Sequence, residues 1–251
     1  MLRATRELQY QCCLDLREQG KVARFGLMSN HAWHHDPRHL LFLLARYKFV
    51  AKMLSGKRRV LEVGCADAFA TRLVLQEVDA VTAIDFDPVF VADVLERMDP
   101  DWKFECKVHD MLDGPVFGRP GAGPFDAAYS LDVLEHIPPA REHVFVGNIA
   151  ASLSEHGVLI VGSPSVQSQV YASEPSRAGH VNCKDSKCLR GLVEAHFHHV
   201  FIFSMNDEIV HTGFYPMAHY LFALCAGPKK PTPILNESAK SNQVRPYEDQ
   251  L

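Results

Sequence analysis

Arg59-Val60-Leu61-Glu62-Val63-Gly64-Cys65-Ala66-Asp67-Ala68-Phe69-Ala70-Thr71-Arg72 is the stretch whose reading decides the fold. An apolar run breaks at Gly64, passes through small residues and restarts with helical spacing. That is the pattern of a buried parallel strand turning tightly into a helix. Such a turn aims backbone N–H groups at whatever lies above the strand end. Asp85 follows Gly64 by 21 residues and closes a second apolar run, Ala80-Val81-Thr82-Ala83-Ile84. A carboxylate at that point can accept from both hydroxyls of a ribose. Together the two runs point to a nucleoside-type ligand above the ends of neighbouring strands.

Outward from this stretch the chain alternates strand and helix. Strand 59–64 leads to helix 68–78, and strand 80–85 to helix 88–98, where Asp87-Pro88 supplies a cap and a first-turn proline. A weaker strand is expected at about 102–109. The segment from Leu112 to Pro124 carries four glycines and three prolines, so it reads as a loop. Strand 125–130, helix 140–153 and strand 157–162 follow. This rhythm implies a parallel sheet covered on both faces, with the ligand where the winding reverses. Upstream, residues 2–20 read as an amphipathic helix. Residues 25–37 read as a histidine- and aromatic-rich loop, and a helix from Asp36-Pro37 to about Ser55 presents Leu40, Leu43, Leu44, Tyr47, Val50, Ala51 and Leu54 on one face. Downstream, 165–183 is polar and irregular. A helix at 185–196 and strands at 198–204 and 218–225 complete the pattern, and the residues from Gly227 read as a loose proline-rich tail.

Bulk properties restrict the function. The 251 residues, 47% hydrophobic and 22% charged, suit one large soluble core. A net charge of −4 with no basic cluster gives no footprint for nucleic acid or an anionic membrane. The most apolar stretch, Leu40 to Val50, is cut by Arg46 and Lys48 and is too short to span a bilayer. Met1 to Glu7 lacks an apolar signal core, and the seven scattered cysteines read as reduced thiols, so a cytoplasmic location is expected. Cys183 and Cys188 are too loosely spaced, with no second pair, to make a zinc site, and no metal is assigned.

Four motifs in order make the reading specific. Glu62-Val63-Gly64-Cys65-Ala66-Asp67-Ala68, Asp85 at the second strand end, His109-Asp110-Met111 at the third, and Phe125 to Ile137 (FDAAYSLDVLEHI) at the fourth resemble those of class I S-adenosylmethionine-dependent methyltransferases. The fourth segment is similar to that of the ubiquinone-biosynthesis O-methyltransferases, and Leu153 to Val161 resembles the element around the fifth strand of the family. The resemblance covers residues 55–165 and extends to about 226. It implies a Rossmann-like α/β fold of seven strands, mostly parallel with the last antiparallel. Residues 1–55 would be an N-terminal helical cap, 56–226 the cofactor-binding domain and 227–251 a polar tail.

The same resemblance implies site roles. Glu62, Gly64, Ala66, Ala68, Asp85, Phe86, Asp110, Met111, Ser130 and Leu131 would bind S-adenosylmethionine and its product S-adenosylhomocysteine. Glu62 would hold turn amides or water, Asp85 the ribose, Asp110 the adenine amino group, and Met111 a soft face on the ring. The family has glycine where Ala66 and Ala68 stand, and a methyl group there requires a negative φ. Transfer from a sulfonium donor is mainly alignment, and a hydroxyl acceptor adds the need for a base. His136, just past the fourth strand, is the first candidate and His180 the second. Trp33, His34, Tyr171 and Asn182 are expected to line the acceptor side.

The expected activity is methyl transfer to a small molecule, most directly the hydroxyl of a sugar, nucleotide-sugar or natural product. No nucleic-acid or membrane partner is expected, and a homodimer is allowed. An NAD site fits poorly, because Ala66 and Ala68 replace the glycines that pyrophosphate approach requires. A catalytically silent scaffold of the same fold is the rival that the two alanines support. N- or C-methylation is a further alternative, although the fourth segment lacks the Asn/Asp-Pro-Pro-aromatic signature of amino-group methylation.

Overall fold

The computed structural model describes residues 4–118 and 121–229. Eight strands form one sheet: β1 (Arg59–Val63), β2 (Ala80–Asp85), β3 (Glu105–Val108), β4 (Phe125–Leu131), β5 (Leu153–Pro164), β6 (Phe197–Asn206), β7 (Ile209–His211) and β8 (Tyr220–Pro228). Their order is β3-β2-β1-β4-β5-β8-β6-β7. The first five are joined by parallel pairings, while β8 runs antiparallel to both β5 and β6. The chain winds outward from β1 to β3, then returns to lay β4 on the other side of β1. The winding therefore reverses between β1 and β4, which is where an open α/β sheet binds its ligand.

Side-chain alternation divides the core between the two sheet faces. Leu61, Val63, Ile84, Ala128, Leu159 and Val161 pack with Phe145 and Ile149 of α6 (Glu142–Ser152) and Leu189 and Leu192 of α8 (Ser186–Glu194). Val60, Val81, Ala127, Tyr129 and Ile160 pack on the other face with Tyr47, Val50 and Leu54 from α3 (Arg38–Met53) and its C-cap, and with Val74 of α4 (Thr71–Leu75). A register irregularity between Phe125 and Ala127 sends Phe125 to the α6 side and Ala127 to the α3 side, although two residues apart in a regular strand share a face. α5 (Pro88–Arg97) begins as its sequence predicts: Asp87 accepts from Val89 N–H at 2.8 Å, with Pro88 in the first turn.

Several elements differ from expectation. The predicted helix at 2–20 is a 3-10 turn (Leu8–Tyr10) and a short α1 (Gln11–Glu18), neither with a buried residue. The predicted loop at 25–37 holds α2 (Leu27–His35), because its N-terminus finds an acceptor far away in sequence: Asp67 takes Ser29 N–H at 2.6 Å. Within 165–183 lie a 3-10 turn (Gln167–Tyr171) and α7 (Glu174–Gly179), which starts on a Ser173 cap. The count is eight strands instead of seven because β7 folds back on β6 across a turn with Asp207 at φ +49°. β8 runs on to Pro228, into the segment read as tail, and residues 230–251 of that tail lie outside the described residues.

The turn after β1 is left-handed at three positions: Gly64 (φ +77°), Ala66 (φ +44°) and Ala68 (φ +48°). The condition of negative φ at the alanines is not met. Each alanine therefore carries roughly 1–2 kcal/mol of steric cost that glycine would not. Ala68 is 8% exposed and recovers part of this by packing beside Cys65 and Val94, whereas Ala66 is only half-buried. Ala66→Gly is predicted to raise the denaturant midpoint by an amount equivalent to about 0.5–1 kcal/mol, after subtracting glycine's greater freedom in the unfolded chain. A lowered midpoint would contradict the assigned backbone.

Candidate functional site

Three carboxylates shape the turn after β1. Asp85, at the end of β2 and 6% exposed, accepts from Ala66 N–H at 2.8 Å through Oδ2 and from Asp87 N–H at 2.9 Å through Oδ1. Each oxygen keeps a further acceptor position, so the residue can hold the turn and still receive hydroxyl donors. Asp67 accepts from Ser29 and from Phe69 N–H at 3.2 Å, and its carbonyl accepts from Arg97 Nη2 at 2.7 Å, which pins α2 and α5 to the turn. Glu62 points to the α3 side. Its carboxylate accepts from the Tyr47 hydroxyl at 2.7 Å and the Thr71 hydroxyl at 2.6 Å, not from the turn amides expected for it. Gly64 is required twice, by its φ and by Val133, whose Cγ2 would lie 2.3 Å from an added Cβ.

The predicted cofactor contacts separate into presented and buried groups. Phe86 is 71% exposed beside Asp85, and Val108 is 51% exposed at the end of β3. These two apolar side chains flank the strand ends; the motifs name Phe86 but not Val108, which precedes the acidic signal at Asp110. Asp110 is half-buried and accepts from Leu112 N–H at 2.8 Å. Met111 is 3% exposed and packs into the α6-side core, so the soft face expected for a ring is turned inward. Ser130 is buried and ties β4 to β1 by donating to the Val63 carbonyl at 3.1 Å, and Leu131 is buried against the α3 face. A cleft of about 350 Å³ lined by Arg58, Arg59, Asp126 and Ser154 opens at the opposite, amino ends of β1 and β4, away from all these residues.

At the end of β4 the chain makes a sharp exit, with Asp132 at φ +57° followed by a 3-10 turn (Leu134–His136). Arg46 of α3 donates to both Asp132 oxygens at 2.9 and 2.7 Å and stacks over the Tyr220 ring at 4.0 Å. In the sequence Arg46 signalled only an interruption of an apolar run. Glu135 is 1% exposed, and burial, then the Asp132 charge, push its carboxyl up to about 8. Its carbonyl accepts from Val181 and Asn182 N–H at 2.8 and 2.9 Å, which fastens the 165–183 segment onto this turn.

That fastening brings the two candidate histidines together. Their rings meet edge to face with centroids 5.2 Å apart. His136 Nδ1 lies 2.9 Å from the Gly179 carbonyl, which only accepts, so Nδ1 carries the proton. His180 Nδ1 lies 2.8 Å from Gln169 Oε1. The Gln169 amide orientation is set by its Nε2 donating to the Ser165 carbonyl at 3.2 Å, so His180 also carries its proton on Nδ1. In the neutral rings both Nε2 atoms hold a lone pair. Burial, then the neighbouring His136, lower the His180 pKa and favour its neutral form.

The acceptor-side expectations fare unevenly. Asn182 is buried, donates to Glu142 at 2.7 Å and accepts from Lys184 at 3.0 Å, so it is engaged inside the protein instead of facing a substrate. Tyr171 is 82% exposed, 6.3 Å from the His219 ring. Trp33 is half-exposed and stacks on Phe25, which in turn packs on Phe69 of the β1 turn. His34 is exposed on α2.

With this geometry in view, comparison with known proteins is direct. Residues 61–159 match the family model described as a methyltransferase domain. The ubiquinone biosynthesis O-methyltransferase of Xanthomonas axonopodis pv. citri (strain 306) is 27% identical over 125 residues, 48% of this chain and 51% of that protein. The chain thus spans about half the length of the curated relative it matches. The structure of the N-methyltransferase NodS from Bradyrhizobium japonicum WM9 with S-adenosyl-L-homocysteine superposes with a TM-score of 0.54 at 17% identity, over 78% of this chain and 92% of NodS. A chain of the complex between the Haloferax volcanii Trm112 methyltransferase activator and its methyltransferase gives 0.60 at 15% identity, over 90% of this chain and all of the other. At such identities the two structures speak to fold. The chain shares the Rossmann-like methyltransferase fold of these structures, and its residues 61–159 are similar to a methyltransferase domain. No helix among the described residues is long and apolar enough to cross a membrane.

The buried Glu62 gives a pH test of the core beneath the turn. Burial raises its pKa from an ordinary 4.5 to about 7, only partly offset by the hydroxyls of Thr71 and Tyr47. The folded form therefore keeps a proton that the unfolded form has lost, and stability falls as pH rises between those two values. Glu62→Gln cannot ionise. Unfolding measured across this window is predicted to show the wild type losing up to about 1.4 kcal/mol per pH unit relative to the variant. Parallel pH profiles would contradict the buried, proton-holding carboxyl.

Proposed function

We propose that the protein methylates a hydroxyl of a small molecule, with S-adenosylmethionine bound above the ends of β1, β2 and β4 and the acceptor at the Glu135–His136–His180 cluster. The observation that carries this reading is the convergence of two imidazoles with free Nε2 lone pairs at the exit of β4, next to the turn that the cofactor would occupy. The ribose diol goes to Asp85, the adenine amino group to Asp110, and Phe86 and Val108 cover the ring. The methionine part lies against the backbone of Gly64, Ala66 and Ala68, with Ser130 and Leu131 contributing backbone at the switch point. The similarity to a ubiquinone-biosynthesis O-methyltransferase supports oxygen as the acceptor atom. Exposed Trp33, His34 and Tyr171 frame the approach to the cluster, and residues 1–55 act as a lid through the Asp67–Ser29 contact. A sugar, nucleotide-sugar or natural-product hydroxyl suits this polar, histidine-lined entrance.

The chemistry needs little from the protein beyond alignment and activation. The donor sulfonium already carries a good leaving group, so holding acceptor oxygen, methyl carbon and sulfur in line supplies most of the acceleration. A hydroxyl must also shed a proton, and the lone pairs of His136 and His180 are the groups placed to act on it. With isotopically labelled donor and a panel of hydroxylated acceptors, turnover is expected for the wild type. His136→Ala should retain donor binding and lose about 10²–10⁴-fold in turnover. Full turnover in that variant removes the assignment of His136. Donor binding without transfer to any hydroxyl acceptor favours the silent scaffold, and transfer to nitrogen or carbon acceptors alone replaces O-methylation.

A further inference from the structure

We propose that His211 is a positioning residue for the acceptor side of the site, and that it braces the wall of the entrance only while its ring is neutral. What concerns an acceptor rests on the methyl-transfer reading; what concerns the ring does not. His211 closes β7, and Gly213, two residues on, donates its N–H to the ring Nδ1 at 2.9 Å. On the other side of the ring, Nε2 lies 2.9 Å from Asn206 Oδ1. The orientation of the Asn206 amide is set by its Nδ2, which donates to the Met217 carbonyl at 3.0 Å. Oδ1 therefore faces the ring and needs a donor, so the proton sits on Nε2 and the lone pair on Nδ1. Both nitrogens are engaged in a way that one neutral tautomer alone allows. Gly213 is matched to this arrangement: a Cβ there would lie 2.8 Å from Nδ1 and 3.0 Å from Cε1.

The contacts continue from His211 to the site. Asn206 holds the Met217 carbonyl, and the next carbonyl, that of Ala218, accepts from the Ser165 hydroxyl at 2.5 Å. The His219 carbonyl accepts from Ser165 N–H at 3.0 Å. Ser165 is fully buried at the exit of β5, and its own carbonyl accepts from Gln169 Nε2 at 3.2 Å. Gln169 Oε1 in turn accepts from His180 Nδ1 at 2.8 Å, and the Tyr171 ring stands 6.3 Å from that of His219. The β7 hairpin, with exposed Phe214 and Met217, is in this way tied to the segment that carries Tyr171 and His180.

Among the described residues the ring bonds to Gly213 and Asn206 alone. The ionisable groups on the elements around it are elsewhere engaged or exposed. Asp207 and Glu208 in the β6–β7 turn are exposed, as is His219 before β8, and the Tyr215 hydroxyl donates to the Ile202 carbonyl at 3.2 Å. β6 pairs with β7 through Ser204, Met205 and Asn206, none of which titrates in this range. An imidazole gains its second proton between about pH 5 and 8. Once Nδ1 is protonated it cannot accept from Gly213, and two N–H groups face each other. The brace is therefore present on the alkaline side and is lost as pH falls, a change of about two- to tenfold in an equilibrium for one hydrogen bond.

Hydrogen–deuterium exchange of the full-length protein without ligand tests the ring. Protection of residues 206–219 is compared at about pH 7.5 and about pH 5.5, on either side of the ordinary histidine value, after correction for intrinsic exchange. The wild type is expected to lose protection by about two- to tenfold on acidification. His211→Asn can still accept from the N–H two residues on and cannot gain a proton, so it should show no such change. His211→Ala should be poorly protected at both values. Equal acid responses in the wild type and His211→Asn overturn the switch, and full protection in His211→Ala overturns the brace. If a variant fails to fold, the wild-type Gly213 amide NMR signal decides: it is expected to move as the His211 ring titrates, and a constant signal overturns the proposal. With a hydroxyl acceptor identified by labelled donor, the wild-type KM for acceptor should rise about two- to tenfold more on acidification than that of His211→Asn, with kcat changing alike in both. Equal KM profiles overturn the positioning role and leave methyl transfer intact. Exchange that behaves as expected in a protein that methylates no acceptor overturns the methyl-transfer reading and leaves the ring's role intact.

Discussion

The carboxylate of Asp85 reaches from the end of β2 to the backbone N–H of Ala66, and the geometry of the site follows from that contact. A turn with left-handed residues at 64, 66 and 68 is costly for a chain that places alanine at two of them. It persists because it is held from several sides: Asp85 from β2, Asp67 through α2 and α5, and Gly64 wedged against Val133. Beneath it, Glu62 joins Tyr47 of α3 to Thr71 at the start of α4, so the strand, the helix that follows and the N-terminal segment share one buried carboxyl. Strain concentrated in a turn and balanced by surrounding contacts is how proteins maintain a shaped ligand surface.

At the other side of the switch point, charge does comparable work. Arg46, Asp132 and Glu135 lie close together, and although burial disfavours the Arg46 charge, the attraction and hydrogen bonds of its neighbours, Asp132 foremost, outweigh that cost. The pair fixes the exit direction of the chain after β4. The exit in turn sets the Glu135 carbonyl to receive Val181 and Asn182, and through them it positions His180 beside His136. The two histidines, 44 residues apart in sequence, are held as neighbours by backbone hydrogen bonds from Val181 and Asn182 to the carbonyl of Glu135, the residue before His136.

Much of this was readable in the sequence. The apolar runs at 59–64, 80–85 and 125–130, the glycine turn and the Asp87-Pro88 start are local signals, and the elements stand within a residue of where those signals place them. What escaped depends on distant partners. α2 begins on an acceptor 38 residues downstream, and no local pattern announces a cap of that kind. Met111 sits in the expected motif position yet packs inward, because the direction of a side chain after a strand depends on the turn that follows. Asn182 is a suitable polar residue at the right height, but Glu142 and Lys184 occupy it. Glu135 and Arg46 were visible as letters only. Their roles come from burial and pairing, which single-sequence periodicity does not encode.

The central claim is that the β1 turn and Asp85 form the cofactor site of a methyltransferase. Titration calorimetry with S-adenosylhomocysteine on the wild type and on Asp85→Asn tests it most directly, because asparagine keeps the size while removing the charge and half of the acceptor capacity. The account predicts saturable one-to-one binding to the wild type, weakened by about tenfold or more in the variant, a loss of about 1.4 kcal/mol or greater. No binding to the folded wild type, or equal affinity in Asp85→Asn, would contradict it.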